Sequence, residues 1–455
     1  MTGLLIDEVF RSAAGAHPHR PAVVCGDRAL RFAELDAAAD RAAGRLRACG
    51  VRRGDRVVCL TGDLFAALPL FAGAARAGAV FVPLDPRDRG AASVPVVRAA
   101  APHLVVTDGP WAEAQVGAGA RLAAAVGAQH LALPKQEELL VPVQEGLHVP
   151  MQEGSHVPAQ EELLVPAYEA AGVGKPWGGL PRQPAGRSPS ESDAHLILFT
   201  GSAPRPRGIV LSHRVSALRT HPGCRPEPPG TLVCGFPPGH PAAWTAVLRQ
   251  WQTRGTVVLP AEPGPAAVCA AVREHRATRL TGPPDVWWAV LDTAPHQLAP
   301  LRLAVVEAAA PADTPPQLLE AIRTATPAAL VRAVLGTAET GDIATLDHAD
   351  VRARPGSCGS PAPGVGVRFV DGELWVRGPA LFDGYFGDAK ATDAVLRDGW
   401  FRTGRTARRD TDGYLYPGPE AEPVAEAEPE AGPETEAGPE TESGPEAENR
   451  AAPPS

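Results

Sequence analysis

The sequence predicts an α/β protein with a large doubly wound body, whose parallel or mixed sheets are covered by helices, followed by a small β subdomain. Two observations predict the body. An apolar run, a helix-like stretch and a second apolar run follow one another between Arg56 and Leu84, which is the pattern of a parallel crossover unit. Further apolar runs alternate with helix-like segments as far as residue 335, and a parallel sheet needs helices on both faces.

Each element of the body has a local reason. In Phe32–Cys49 the apolar residues recur at helical spacing with Asp and Arg between them, as in an amphipathic helix. Residues Leu64 to Ala77 form a second predicted helix. The predicted strands are Arg56–Leu60, Ala79–Leu84, Leu104–Val106, Leu196–Phe199, Ile209–Leu211, Leu232–Phe236, Gly255–Leu259, Arg279–Thr281, Leu303–Val306 and Leu330–Leu335.

The pattern changes after about residue 352. Residues Val367 to Gly378 hold two short alternating runs around an Asp-Gly pair, which is a β-hairpin signal. We therefore expect a small β subdomain at 353–418, after α/β parts at 1–110 and 191–352.

Two segments have low complexity. Residues 134–165 repeat an eight-residue unit four times, each starting with proline. A proline every eight residues prevents a continuous helix, and four short units bury little surface, so we expect a disordered insertion within 111–190. Residues 431–448 repeat a Glu/Pro-rich hexapeptide three times, and the segment 419–455 that contains them should form a solvated acidic tail.

Composition excludes some classes of function. Of the formal charge of -9, residues 420–455 account for eleven Glu and one Arg, which leaves the rest of the chain near neutrality. This balance argues against a nucleic-acid surface. The chain has neither a secretion signal at its start nor an apolar run long enough to cross a membrane. Its seven cysteines are scattered, as in reduced proteins, so we expect a cytoplasmic location.

The segment Thr200–Gly208 lies between two predicted strands and is rich in small residues, Pro and Gly. It permits two interpretations. One is an exposed turn that joins the strands. The other is a loop whose backbone N–H groups, hydroxyls and cation hold a phosphate. The segment by itself leaves both open.

An ordered series of motifs resembles the adenylate-forming superfamily, which includes acyl-CoA synthetases and the adenylation domains of peptide synthetases. The series comprises Ala77–Pro86 (AGAVFVPLDP), Thr200–Gly208, Phe236–His240 (FPPGH), Val306–Pro311 (VEAAAP), Leu335–Thr340 (LGTAET), Gly356–Pro361 (GSCGSP), Gly372–Pro379 (GELWVRGP), Gly384–Phe386 (GYF), Asp398–Gly404 (DGWFRTG) and Asp412–Tyr414 (DGY). The resemblance covers residues 1–110 and 191–418. It implies ATP-dependent adenylation of a carboxylic acid with Mg²⁺, and CoA or a carrier-protein thiol as acceptor.

The resemblance also implies site residues. Arg207 and Glu339 would be catalytic, with Glu339 as the Mg²⁺ ligand because carboxylate oxygens suit that cation, and His240 would face the acyl pocket. A solvated loop carboxylate and an ordinary loop histidine are the alternatives for these last two. The implied nucleotide-binding residues are Thr200, Gly201, Ser202, Gly208, Ala308, Ala309, Gly336, Thr337, Ala338 and Arg405.

Several of these positions depart from the family pattern. Ala203 stands where a hydroxyl is usual, and Pro204 replaces a flexible glycine and removes an N–H. Arg207 replaces a lysine, which keeps the charge but not its compact geometry. Ala338 replaces a threonine that contacts the α-phosphate. Arg405 replaces an aspartate that accepts hydrogen bonds from both ribose hydroxyls, and arginine has donors only.

The family continues through a hinge into a smaller domain, which brings a lysine to the reacting carboxylate. No lysine follows Lys390 here, so we expect that domain to be absent, and a separate protein could supply it. Three hypotheses follow. The chain performs partial or impaired adenylation, it is a non-catalytic homologue that binds a ligand or regulates a partner, or it is an interaction protein that acts through its repeats and tail.

Overall fold

Three sheets and the helices that cover them make up the fold. The computed structural model describes residues 4–85, 93–107, 123, 127–132, 189–200, 206–221, 229–310 and 313–418. The phosphate-loop residues 201–205, the repeats at 134–165 and the tail from residue 419 lie outside these ranges, so their predicted conformations stay predictions.

The helices alternate with the strands along the chain. They are α1 (Ile6–Ala16), α2 (Phe32–Ala48), α3 (Leu64–Ala77), α4 (Ser93–Ala100), α5 (His213–Thr220), α6 (Pro241–Gln252), α7 (Pro265–Glu274), α8 (Pro284–Thr293), α9 (Pro316–Ala325), α10 (Asp350–Ala353) and α11 (Ala389–Val395), with a 3₁₀ turn at Pro295–Leu298.

The strands confirm most of the predicted apolar runs. They are β1 (Pro21–Cys25), β2 (Arg28–Arg31), β3 (Arg56–Leu60), β4 (Val80–Leu84), β5 (Leu104–Thr107), β6 (Gln129–Ala132), β7 (Ala194–Thr200), β8 (Arg207–Ser212), β9 (Thr231–Cys234), β10 (Thr256–Leu259), β11 (Arg279–Gly282), β12 (Leu303–Ala308), β13 (Leu330–Thr337), β14 (Gly341–Leu346), β15 (Ser360–Pro361), β16 (Gly366–Val370), β17 (Glu373–Arg377), β18 (Gly384–Tyr385), β19 (Leu396–Arg397), β20 (Trp400–Arg409) and β21 (Leu415–Pro417).

The two large sheets confirm the predicted α/β class. One has the order β15-β14-β13-β12-β11-β9-β10-β1-β2 and the other the order β18-β8-β7-β4-β3-β5-β6. Neighbours from β13 to β1 in the first sheet and from β7 to β6 in the second are parallel, whereas β15, β14 and β2 in the first sheet and β18 and β8 in the second pair antiparallel. The predicted strand–helix–strand unit at 56–84 is β3-α3-β4, and its strands pair in parallel.

Alternate residues of one strand enter different cores, because successive side chains of a strand point to opposite faces. Val57 and Cys59 of β3 lie in the core shared by both sheets, whereas Val58 and Leu60 lie in the core on the far side of the second sheet. In the same way, Val258 of β10 lies in a third core under α7, α8 and α9. The large body therefore has five alternating layers of helix and sheet.

Helix α3 crosses the central core and is almost fully buried. Its first turn is capped by Asp63, whose carboxylate accepts from the backbone N–H groups of Phe65 at 3.0 Å and Ala66 at 3.4 Å. Gly78 ends it with φ at 74°, a left-handed conformation that glycine adopts without strain. Where α3 meets α2, a methyl group on Gly73 would overlap the Cβ of Ala42.

The segment 353–418 holds a third sheet, with the order β16-β17-β20-β19 and β21 beside β20. The predicted hairpin is β16-β17, which turns at Asp371 and Gly372. Two short strands of this segment join the larger sheets instead, since β15 pairs with β14 and β18 pairs with β8. The second pairing brings the Gly384–Phe386 motif to the start of β8.

Candidate active site

Glu339 lies at the tip of the turn between β13 and β14. Thr337 and Thr340 hold the base of this turn, because the Thr337 N–H donates to the Thr340 hydroxyl at 3.0 Å and the two hydroxyls lie 3.2 Å apart. Gly341 follows with φ at 65°, where a side chain would be strained. The turn therefore presents a half-buried carboxylate at the end of the β13-β14 hairpin.

The side chain of Arg219, from α5, holds this turn in place. Its guanidinium donates to the carbonyl oxygens of Ala338, Glu339 and Ala380, each at 2.8 Å. Burial lowers the pKa of the Arg219 guanidinium to about 10, which still leaves it charged at neutral pH. Three charge-assisted hydrogen bonds from one side chain make the Glu339 turn a rigid platform.

The Tyr385 hydroxyl donates to the Glu339 carboxylate at 3.2 Å. Burial, with the Glu339 charge beside it, raises the pKa of the Tyr385 hydroxyl to about 12, so it stays protonated and remains a donor. The guanidinium of Arg207 lies 5.6 Å from the centre of the Tyr385 ring, within cation–π distance. The structure thus places the two predicted catalytic residues, Arg207 and Glu339, next to the same tyrosine.

Arg207 is held at the start of β8. It pairs with Thr200 across the β7-β8 hairpin, so the loop between them begins and ends at the same point. The Gly208 carbonyl accepts from the Phe386 N–H at 2.7 Å, and a methyl group on Gly208 would lie 3.0–3.1 Å from Ile197, Phe199 and Phe386. Tight packing is therefore a sufficient reason for this glycine. Gly201 and Ser202 lie outside the described residues.

The predicted adenine segment begins within β12. Ala308 is the last residue of that strand and is buried, whereas Ala309 is exposed. The Ala310 N–H donates to the carboxylate of Asp313 at 2.8 Å. Gly336 and Thr337 lie on the neighbouring strand β13, next to β12 in the sheet. Both segments therefore end at the same edge of the nine-stranded sheet.

Arg405 lies in β20 and is half-buried. Its N–H donates to the Thr403 hydroxyl at 3.2 Å. Two carboxylates follow Arg405 closely in the chain and could replace the family aspartate as acceptors, but both Asp410 and Asp412 bind the guanidinium of Arg354, at 3.0 and 2.8 Å. Asp410 also accepts from the Tyr414 N–H at 2.8 Å, as expected for a turn residue.

His240 caps helix α6. Its Nδ1 accepts from the Ala242 N–H at 3.2 Å, its ring stacks on Phe236 at 4.7 Å, and burial lowers the pKa of its imidazole. The preceding residues Phe236, Pro237 and Pro238 line a cavity of about 690 Å³ at the carboxyl ends of strands from both large sheets. An acyl-pocket role for His240 stays a prediction, and its structural role is that of a cap.

The donor set at Glu339 fits Mg²⁺ bound together with substrate phosphates, because that ion is commonly held by one or two carboxylates, with phosphate and water completing its shell. Among the described residues, no three His, Cys, Asp or Glu side chains converge as a closed metal site would require. The described helices also include none that is long and apolar enough to cross a bilayer.

Similarity to known proteins decides the family. The AMP-binding enzyme family matches residues 10–386. The chain belongs to the AMP-binding enzyme family. One relative, a feruloyl-CoA synthase of Amycolatopsis sp., is 30% identical over 88% of the chain and 75% of its own length. A 3-hydroxybenzoate–CoA ligase of Aromatoleum sp. (strain CIB) is 27% identical over 89% of the chain and 74% of its own length.

Solved structures show the same fold for this AMP-binding enzyme. The N-terminal domain of FACL13 from Mycobacterium tuberculosis superposes with a TM-score of 0.72 at 21% identity, covering 92% of this chain and 100% of that one. The amide bond synthetase McbA from Marinactinospora thermotolerans gives a TM-score of 0.71 at 24% identity, covering 90% of this chain and 78% of that one.

Sequence reasoning missed Arg219 and Tyr385 as members of this site. Arg219 lies in an ordinary helix, and its role depends on carbonyl groups more than 100 residues away. Tyr385 belongs to the quoted Gly-Tyr-Phe motif, so that motif was an available signal, but only the β18-β8 pairing shows which carboxylate it meets.

Proposed function

We propose that this AMP-binding enzyme joins a carboxylic acid to AMP, releasing pyrophosphate, at a rate reduced by its altered ribose site. CoA or a carrier-protein thiol is the proposed acceptor of the acyl group. The observation that carries the proposal is the cluster in which Tyr385 connects Glu339 to Arg207. In it an anion that suits Mg²⁺ and a cation that suits phosphate oxygens are held close together, in a chain of the AMP-binding family.

In the proposed reaction an oxygen of the acid attacks the α-phosphorus of ATP, and the bond from that phosphorus to the pyrophosphate oxygen breaks. Mg²⁺, when bound, neutralises charge on the phosphates. Glu339 would hold that ion, and Tyr385 would keep the Glu339 carboxylate oriented through its hydrogen bond. Arg207 would offset the negative charge that grows on the phosphates, a preorganised contribution of the kind that dominates many active sites.

Arg405 is the reason to expect a reduced rate. Its side chain offers hydrogen-bond donors only, so it cannot accept from the ribose hydroxyls, and Asp410 and Asp412 are engaged by Arg354. Two lost hydrogen bonds to a charged acceptor cost about 1.5–3 kcal/mol each. That amounts to about a hundredfold or more in affinity.

Acid-dependent exchange of labelled pyrophosphate into ATP tests this proposal, using a broad panel of carboxylic acids. The variant Arg405→Asp should raise the exchange rate at least about tenfold. Arg408→Asp is the matched control, because Arg408 lies on the same strand with an exposed side chain, and it should exchange like the wild type. Absence of exchange in both the wild type and Arg405→Asp would refute the proposal.

A non-catalytic homologue that binds a ligand or a partner is the second candidate, and Arg405 is the observation that favours it. This candidate expects no exchange with any acid in the wild type or in Arg405→Asp. Micromolar binding of ATP that depends on Mg²⁺ would argue against it.

A further inference from the structure

Strand β16 forms an edge of the third sheet. It pairs with β17 over its whole length without a bulge, and among the described residues no strand pairs with its other side. It contains neither proline nor lysine, the residues that commonly protect an edge. Phe369 and Val370 are each 36% exposed, and Arg368 is its one charged residue. The edge is therefore regular, accessible and unfavourable only to basic strands.

One face of this sheet packs on the core and the other is open. Leu374, Val376 and Phe401 are buried in the central core. Successive side chains of a strand point to opposite faces, so Trp375 and Arg377 lie on the other face. Arg377 is exposed there.

Arginines and tryptophans alternate on the open face. Arg368 of β16 lies opposite Trp375 of β17, which lies opposite Arg402 of β20. The guanidinium carbon of Arg368 is 4.6 Å from the centre of the Trp375 ring and 4.3 Å from that of Trp400. The guanidinium carbon of Arg377 is 5.1 Å from the Trp400 ring centre. These are cation–π distances, so the rings hold the guanidinium groups on this face.

Two of these three arginines have no carboxylate partner. Arg402 binds the Glu373 carboxylate at 3.0 Å, whereas among the described residues no carboxylate forms an ion pair with Arg368 or Arg377. The planar guanidinium presents its N–H groups in a geometry that matches a carboxylate. The open face therefore offers two ordered groups that suit an acidic ligand.

The form of the surface favours a peptide over a nucleic acid. Nucleobases bind such sheets by stacking on free aromatic faces, but Trp375 is only 9% exposed and arginines already contact both tryptophans. An accessible edge strand instead offers backbone N–H and C=O groups to another extended chain. Edge and charge together suit an extended acidic segment.

We propose that the β16 edge binds an extended acidic segment of a partner protein, which adds to the third sheet as a further strand. Side chains of the added strand alternate between the faces, so its carboxylates lie beside Gly366 and Arg368. Its apolar side chains lie beside Val367 and Phe369. Gly366 has no side chain, which leaves Arg377, its neighbour on β17, accessible from the edge. This inference goes beyond the proposed adenylation and does not depend on turnover.

Fluorescence anisotropy of a labelled eight-residue peptide of alternating glutamate and valine tests the proposal on the full chain. We expect saturable binding that weakens by about tenfold or more at high salt, because salt screens exposed charges. A peptide of the same composition with its four glutamates in one block should bind about fivefold or more weakly, because its carboxylates cannot all lie on one face. A peptide with lysine in place of glutamate should not bind.

Amide hydrogen exchange locates the binding. With the alternating peptide at saturation, exchange should slow at residues 366–370, because an added strand protects the edge amides. It should stay unchanged at residues 396–397 of β19, at the opposite end of the same sheet.

A pair of variants makes the test specific. Arg368→Gln should weaken binding of the alternating peptide by about fivefold or more, because a charge-assisted contact is lost. Arg397→Gln is the matched control, because Arg397 is exposed on β19, and it should bind like the wild type. If Arg368→Gln does not fold, the two peptides and the exchange pattern of the wild type still decide the proposal.

Equal affinity for the alternating and blocked peptides, unchanged affinity of folded Arg368→Gln, or unchanged exchange at 366–370 would overturn the proposal. Tighter binding of a single-stranded oligonucleotide, or of a peptide with the sequence of residues 431–448, would assign the face to another ligand and overturn it as well. A wild-type dimer that Arg368→Gln dissociates would assign the edge to a second copy of the chain, with the same consequence.

Discussion

Two buried imidazoles, His195 and His213, stack at 4.8 Å in the central core. His195 shares a hydrogen bond of 2.7 Å with the Ser216 hydroxyl, and Nδ1 of His213 accepts from the Ile6 N–H at 3.3 Å. Burial lowers the pKa of His195 well below its usual range and that of His213 to about 4. Both rings are therefore neutral in the folded protein at neutral pH.

This pair predicts a specific pH dependence of stability. In the unfolded chain His213 titrates near its ordinary pKa of about 6.5, so below that pH the unfolded state binds the extra proton. The stability it contributes is present above about pH 6.5 and lost as the pH falls towards 4, by about 3 kcal/mol in total. Urea unfolding of wild type and His213→Gln should show the wild type losing more stability over that range.

The exposed His296 provides the control for this measurement. His296→Gln should follow the wild type at every pH. Parallel curves for wild type and His213→Gln would show that His213 titrates alike in both states, against the expectation.

Arg219 gives a second prediction for a single residue. Arg219→Met removes three hydrogen bonds and leaves three carbonyl groups in a buried region without their donor. We expect a loss of about 3 kcal/mol or more in the free energy of unfolding, measured by urea denaturation. Arg273→Met, at an exposed arginine, should change it by less than about 0.5 kcal/mol, and a similarly small effect at Arg219 would contradict its role as a support.

Single residues of the site could be predicted from the sequence only where a motif carried them. Glu339 and Arg207 lie in quoted motifs, and the structure brings them close to one tyrosine. The contacts of Arg219 depend on carbonyl groups from distant parts of the chain, which no local pattern encodes. His240 shows the reverse, because its place in a motif did not reveal that its imidazole caps α6.

At the level of elements, the packing of α2 against α3 depends on one small residue. A methyl group on Gly73 would overlap Ala42, and would also lie 2.9 Å from the Ala39 carbonyl oxygen and the Ala43 nitrogen. Gly73→Ala should therefore force the helices apart and cost about 1–3 kcal/mol, measured by chemical denaturation.

Gly44→Ala is the matched control on the partner helix. No atom lies within 4 Å of a methyl group at Gly44, and alanine is a better helix former than glycine by about 0.5–1 kcal/mol. This variant should be slightly more stable than the wild type. Stabilisation by both substitutions would show that the α2-α3 contact can relax freely, contrary to the prediction.

The sequence predicted the strands and helices themselves better than it predicted which strands pair with one another. Apolar runs located most strands because a buried parallel strand is apolar on both faces, and the Asp-Gly turn located the β16-β17 hairpin. The ends of the strands were less certain. The strand predicted at Leu232–Phe236 ends at Cys234. The pairing of β18 with β8 joins segments about 175 residues apart, and sequence periodicity holds no information about such a pairing.

At the scale of the molecule, three distant segments converge around Glu339. The β13-β14 turn, the start of β8 and the short strand β18 come from distant parts of the chain, and Arg219 and Tyr385 connect them around Glu339. We expect the site formed by these segments to bind ATP together with Mg²⁺. That expectation underlies the proposed adenylation.

Calorimetric titration of ATP in the presence of Mg²⁺, and again with a chelator, tests this claim most directly. We predict saturable binding by the wild type, which weakens by about tenfold or more when Mg²⁺ is removed or in the variant Glu339→Gln. Glu274→Gln should bind like the wild type. Absence of saturable binding, or equal affinity of the wild type and Glu339→Gln with Mg²⁺ present, would show that Glu339 does not hold Mg²⁺ against ATP here.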